Sequence, residues 1–170
     1  MMERDVQFWI GALGLAAHPE GGFYREIHRS AVNTPHAALP AGREGERSLF
    51  TSIYYLLGNG DRSCLHRIMS DEIWNFHAGD ALRIIIIHPG GELEERLLGG
   101  DPSRGQSFQT VVPAGAWFGA LTVSGGRYSL VSCIVVPGFD FRDFEMARRA
   151  HLLAQYPAHR SAIELLTGDE

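Results

Sequence analysis

The chain has 170 residues, with 15 Lys+Arg against 20 Asp+Glu and a formal charge of −5 at neutral pH. With 45% hydrophobic and 21% charged residues its composition is globular, which excludes intrinsic disorder. A domain of this size buries roughly 70% of its unfolded surface, so it needs no covalent staples.

The acidic balance argues against a basic nucleic-acid face or a polybasic membrane patch, so neither nucleic acid nor membrane is expected as a partner. Cys64 and Cys133 stand too far apart in sequence for a disulfide framework or a zinc ribbon. Every basic residue is arginine, which excludes Schiff-base chemistry on lysine. Met1-Met2-Glu3-Arg4-Asp5 lacks the layout of a signal peptide, and no uncharged run approaches the roughly 20 residues of a membrane span. A cytoplasmic location is expected.

In chain order, Val6, Trp9, Ile10 and Leu13 share one helix face over residues 5–13, with Asp5 as N-cap and Gly14 as stop. His18-Pro19-Glu20-Gly21-Gly22 breaks the chain before a strand from Phe23 to His28. Residues 30–46 read as one long loop. Strands then follow at Leu49 to Leu57, Ser63 to Ile68, Glu72 to His77, Leu82 to His88 and Leu93 to Leu98. Three more run over Phe108 to Val112, Trp117 to Val123 and Tyr128 to Val136. Short strands separated by regular Gly and Pro turns predict an antiparallel sandwich or barrel. After Pro137-Gly138 the spacing of Phe141, Phe144, Ala147, His151 and Leu152 predicts helix, and Ile163, Leu165 and Leu166 a second one. One domain over 1–170 is expected, with a barrel core at about 49–136 and flanking helices at 5–13 and 141–166.

Chemistry concentrates between His66 and Asp80. Alternation puts Cys64, His66 and Ile68 on one strand face, and Glu72, Trp74 and Phe76 on one face of the next. If the strands pair, His66 and Glu72 meet in a pocket, where an imidazole and a carboxylate transfer protons or form half a metal site.

At these residues the sequence resembles the cupin superfamily. His66, Glu72 and Gly79 match the first His, the Glu and the Gly of its first motif, with Ile68 at the second His position. Pro113-Ala114-Gly115 matches the turn of the second motif, but Phe118 stands where its His would be. The resemblance is closer to the cupin_5-type family, over nearly the whole chain. His18-Pro19-Glu20-Gly21-Gly22-Phe23-Tyr24-Arg25-Glu26 is similar to its opening signature. Thr51 to Leu57, Ser70 to Trp74, Pro113 to Phe118 and Pro137 to Phe141 are similar to later blocks. The resemblance implies an all-β-dominated, jelly-roll β-barrel, often dimeric, in a family described as predicted sugar epimerases. A homodimer follows as an expectation, because pairing protects barrel edge strands.

The expected activity is metal-independent epimerisation or isomerisation of a carbohydrate-like carbonyl compound bound in the barrel. His66 is the candidate base, Glu72 its partner, and Tyr54 or Tyr55 a phenol donor. Tyr54 is preferred because its parity matches the small polar Ser52. Ser52, Cys64, Trp74, Phe76, Trp117 and Phe118 are candidate substrate contacts, with Arg25 or Arg83 to hold an anionic group. His77 has the opposite parity to Glu72 and leaves the pocket. The plainer readings are an aromatic core, an inert Cys64 thiol and a Glu72–Arg67 ion pair. Binding of a sugar or nucleobase-like ring without turnover is the first alternative. No cofactor is expected; the second alternative is a weak divalent-metal site on His66 and Glu72, with Cys64 as third donor.

Overall fold

A computed structural model describes residues 4–168. Residues 1–3, on which part of the signal-peptide reading falls, lie outside the described residues.

Helix α1 (Val6–Leu13) starts where the Asp5 side chain accepts from the Phe8 N–H at 2.8 Å, and ends at Gly14 with φ 61°. The strands follow as β1 (Ala16–Ala17), β2 (Phe23–Arg29), β3 (Asn33–Thr34), β4 (Arg47–Ser48), β5 (Thr51–Gly58) and β6 (Arg62–Ile68). Then come β7 (Asp71–Gly79), β8 (Leu82–Ile87), β9 (Leu93–Leu98), β10 (Gln109–Val112), β11 (Trp117–Thr122), β12 (Tyr128–Val136) and β13 (Phe144–Met146). Helices α2 (Arg149–Gln155) and α3 (Arg160–Leu166) close the described chain.

Two antiparallel sheets face each other as a jelly roll, in the orders β1-β2-β5-β12-β7-β10 and β13-β6-β11-β8-β9. Strands β3 and β4 form a separate small ribbon. Alternation assigns the inner faces. Tyr55, Leu57, Trp74, Val131, Cys133 and Val135 of the first sheet meet Ile68, Leu82, Ile84, Ile86, Phe118 and Ala120 of the second. The outer faces are covered as well. Helix α1 packs Val6, Trp9, Ile10 and Leu13 against Leu56, Tyr128 and Leu130. Helices α2 and α3 lay Leu152, Ile163 and Leu166 over Leu65, Ile85, Ile87 and Trp117. Burial on both faces explains the unbroken apolar run Ile84 to Ile87. Each such side chain contributes about 1.5–3 kcal/mol when fully buried.

Three sequence expectations change. The sheets reach beyond residues 49–136, because β2 pairs with β5 and β13 pairs with β6. Residues 141–147 are not helical: Phe141–Asp143 is a 3₁₀ turn leading into edge strand β13. Phe141 and Phe144 keep a helix-like spacing yet pack edge-to-face on Phe139. The expected long loop also carries the β3–β4 ribbon and the 3₁₀ turn His36–Ala38.

Buried arginines tie that loop down. Arg47 grips Asp143 through two bonds of 2.6 and 2.8 Å, and also donates to the Glu44 and Glu46 carbonyls. Arg43 donates to the Met69 carbonyl and, at 3.0 Å, to Ser70 Oγ. The clamp fixes the segment from Phe139 to Phe144, which forms one lip of the central cavity.

Candidate functional site

A cavity of about 350 Å³ opens between the sheets, lined by residues of β2, β5, β6, β7 and β12 and of the loops around Glu20 and Phe139. His66 and Glu72 both line it, and both are buried. Ile68, at the second motif position, forms part of the wall. Phe118 stacks its ring centroid 4.1 Å from that of His66.

The residue at the centre is Glu20. The turn His18-Pro19-Glu20-Gly21-Gly22 closes on itself, with the His18 N–H donating to the Gly22 carbonyl and the Gly21 N–H to the His18 carbonyl, each at 3.0 Å. Gly21 has φ 111°, and a Cβ there would stand 2.1 Å from the Arg62 carbonyl oxygen. Only glycine lets the turn lie this close to β6. The Cys64 N–H donates to the Glu20 carbonyl at 2.8 Å, and the Tyr55 hydroxyl to the Gly21 carbonyl at 2.7 Å. These bonds drive the Glu20 side chain into the jelly-roll mouth.

Ser63 Oγ donates to Glu20 Oε1 at 2.8 Å, and His66 Nε2 lies 3.1 Å from Oε2. His66 Nδ1 contacts the Cys64 carbonyl at 2.8 Å. A carbonyl only accepts, so Nδ1 carries hydrogen. The Cys64 carbonyl thus orients the His66 ring and leaves its Nε2 beside the Glu20 carboxyl. His18 Nδ1 accepts from the Glu20 N–H at 3.2 Å, and burial holds this imidazole below its usual range despite the Glu20 charge, so it is neutral near pH 7.

Glu72 is the opposite case. Burial first, and then the negative charge of Glu20, push its carboxyl up to about 8, against opposing bonds from Cys133 and Trp74. At neutral pH Glu72 is an acid with a proton to give. The buried Trp74 indole N–H finds no acceptor of normal geometry, although it lies near enough to favour the Glu72 carboxylate. Burial also raises the Cys133 thiol well above its ordinary range, with Glu72 adding to the effect, so Cys133 is a protonated neighbour rather than a nucleophile.

The other sequence candidates fall elsewhere. Tyr54 faces outward under α1, 6.0 Å ring to ring from His77, and Tyr55 is the inward phenol. Ser52 shares the outward parity of Tyr54, and Thr51 and Ile53 line the cavity instead. Arg25 pairs in register with Tyr54 and lies exposed outside the cavity. Cys64 does not line the cavity: between His66↔Phe118 and Ser63↔Ala120, β6 carries one residue more than β11. This bulge turns Ser63 and His66 to the same side, which strict alternation forbids. Trp117 points away, under α2 and α3, with Arg67 over its ring at 4.5 Å. Trp74, Phe76 and Phe118 point inward as core beneath the cavity rather than as its lining. Arg67 pairs with Glu145, not Glu72, and Arg83 with Glu95. Glu20, His18 and Cys133 lay outside the sequence candidates. The visible signal for Glu20 was a carboxylate between proline and a Gly-Gly pair, two residues after a histidine.

Two positions of the cupin motifs that carry histidine ligands hold Ile68 and Phe118 here, and His66 Nδ1 is taken by the Cys64 carbonyl. Among the described residues, no three His, Cys, Asp or Glu side chains are arranged to hold a metal ion.

A two-sheet jelly roll with the first-motif His and Glu in its mouth defines the cupin class. The chain belongs to the Cupin_5 family, described as cupin superfamily (DUF985), which matches residues 7–147. A hypothetical protein from Leishmania major aligns its whole length with 98% of this chain, with a TM-score of 0.89 and 38% identity. Protein SO0799 from Shewanella oneidensis does so over 99% of this chain and 100% of its own, with a TM-score of 0.87 and 41% identity. Uncharacterized protein YML079W of Saccharomyces cerevisiae is 28% identical over 170 residues, covering 95% of this chain and 84% of the relative. Bacillus subtilis oxalate decarboxylase OxdC matches at a TM-score of 0.54 and 16% identity, over 92% of this chain and 38% of its own, a likeness of fold alone. No helix among the described residues is long and apolar enough to cross a membrane.

Proposed function

We propose that this cupin is an acid–base enzyme of the isomerase or epimerase type, shifting a proton next to a carbonyl group of a small molecule in the cavity. The observation that carries this reading is a pair of buried carboxyls, Glu20 and Glu72, lining one cavity with different partners. Glu20 accepts from Ser63 with His66 Nε2 3.1 Å away, and Glu72 keeps its proton to about pH 8. Environments that push two titratable groups apart assign the acid and the base. Glu20 is the base: it has lone pairs beyond the one taken by Ser63. The substrate's α C–H bond breaks, its proton passes to Glu20, and the electron pair moves to the carbonyl oxygen. Glu72 supplies the proton that this oxygen, or the carbanion, takes up. His66 thus acts on Glu20 rather than as the base itself, and the inward phenol Tyr55 is committed to the Gly21 carbonyl.

The test is solvent deuterium exchange at the α-position of carbonyl sugars, followed by NMR. Exchange should occur with the native protein, drop at least about a hundredfold in Glu20→Gln, and drop similarly in Glu72→Gln. Exchange unchanged in both variants would refute the assignment. Binding without turnover has an observation of its own: the exposed Phe141 beside Phe139 gives the mouth an aromatic lip. It would be favoured by a ligand that binds and never exchanges.

A further inference from the structure

Charge at the cavity is already balanced by the protein itself. Glu20 has His66 at 3.1 Å. At the lip, Arg29 holds Glu26 through two bonds of 2.7 and 3.0 Å and donates to the Phe139 carbonyl at 3.1 Å. Asp140 is held by Arg142 through bonds of 2.7 and 2.9 Å. Arg29 is the one arginine among the lining residues, and the chain has no lysine. The N–H of Gly21, in the one Gly-Gly turn near the site, is spent on the His18 carbonyl.

Among the described lining residues, a phosphate or carboxylate entering this space would meet no arginine without a carboxylate partner, and the Gly21 N–H is already taken. Such an anion would also approach the lip carboxylates Glu26 and Asp140. Burying a charge without a partner is costly, whereas hydroxyls need only the acceptors and donors that Thr51, Tyr24, Glu20 and Glu72 offer deeper in the cavity. The walls between these groups are apolar, from Ile53, Ile68, Val135 and Phe139. At about 350 Å³ the cavity is at the small end of small-molecule sites. A nucleotide-linked sugar is several times larger than a single sugar ring and carries a diphosphate.

We propose that the cavity selects an uncharged, hydroxyl-rich carbonyl compound of about monosaccharide size and excludes its phosphorylated and nucleotide-linked forms. The carbonyl in this statement rests on the acid–base reading; the exclusion of anions rests on the charge pairing alone.

The experiment is calorimetric titration at neutral pH of the native protein and of Glu26→Gln. The probes are D-fructose and dihydroxyacetone, their monophosphates, and thymidine diphosphate. At least one neutral probe should bind the native protein, with its monophosphate at least about tenfold weaker and thymidine diphosphate silent. Glu26→Gln releases the Arg29 guanidinium, so the monophosphates should gain about tenfold while the neutral probes stay put. Monophosphates or thymidine diphosphate binding the native protein as well as the neutral probes would overturn the proposal. So would silence from both neutral probes. If a neutral probe binds but takes up no deuterium, the acid–base reading fails and the selectivity stands.

Discussion

Replacing Glu72 with Gln converts its buried acid into a permanently neutral isostere, and the consequence is a change in how stability depends on pH. The Glu72 carboxyl keeps its proton to about 8 in the folded protein, against 4.5 ordinarily. Between these values the native state binds one more proton than the unfolded chain. Stability therefore falls as pH rises, by ~1.4 kcal/mol per pH unit from this group, and is flat outside the window. Over the whole window the loss amounts to about 5 kcal/mol, a large share of a typical domain's total. Glu72→Gln suffers none of it. The variant's stability relative to the native protein should hold steady below the ordinary carboxyl range, climb through neutrality, and level off above the folded value. Guanidinium unfolding at a series of pH values from about 5 to 9 measures this, and subtracting the two curves cancels the other titrating groups. Parallel curves would mean that Glu72 is ionised in the folded protein, which would remove the acid from the proposed chemistry.

Two further outcomes follow from geometry outside Glu72. Asp143→Ala leaves Arg47 and Arg43 buried without their carboxylate, and breaking a buried pair from one side costs about 3–5 kcal/mol, readable as a drop in the unfolding midpoint. Gly21→Ala puts a Cβ against the Arg62 carbonyl at φ 111°, a backbone position that costs a side-chain-bearing residue about 1–3 kcal/mol before the clash is relieved. The turn should move, withdrawing Glu20 from Ser63 and His66. Deuterium exchange would then be lost while near-UV circular dichroism still reports a folded core; exchange at the native rate would show that the turn does not position the base.

The strands and turns were legible because apolar alternation and Gly or Pro punctuation are local signals. Helix α1 was legible down to its cap and stop. The choice between Tyr54 and Tyr55 failed for a physical reason. Strand β5 is buried on both faces, by the core on one side and α1 on the other, so its composition does not mark the inner face. Ser52 looked like pocket lining and was not. Cys64 failed differently: the extra residue in β6 opposite β11 breaks alternation at that point, and a bulge leaves no signature in a strand of ordinary residues. Phe141 and Phe144 mimic a helix stripe because an edge-to-face aromatic cluster needs a similar spacing. His66 and Glu72 do meet, but not by strand pairing: β6 and β7 lie in opposite sheets, and both side chains point into the cavity between them.

Glu20 required a contact that no local pattern encodes, since its partners Ser63 and His66 lie more than forty residues away. That contact also explains what the two missing ligand positions accomplish. Ile68 and Phe118 make the wall around His66 apolar and leave its Nε2 to Glu20. The same apolar wall raises the cost of any unpaired charge near Glu20 and His66, and the Glu20 charge in turn helps to keep Glu72 protonated. Glu20 and the neutral acid are thus interdependent: removing the Glu20 charge would let Glu72 ionise at lower pH, so the two carboxyls work as one proton-transfer unit.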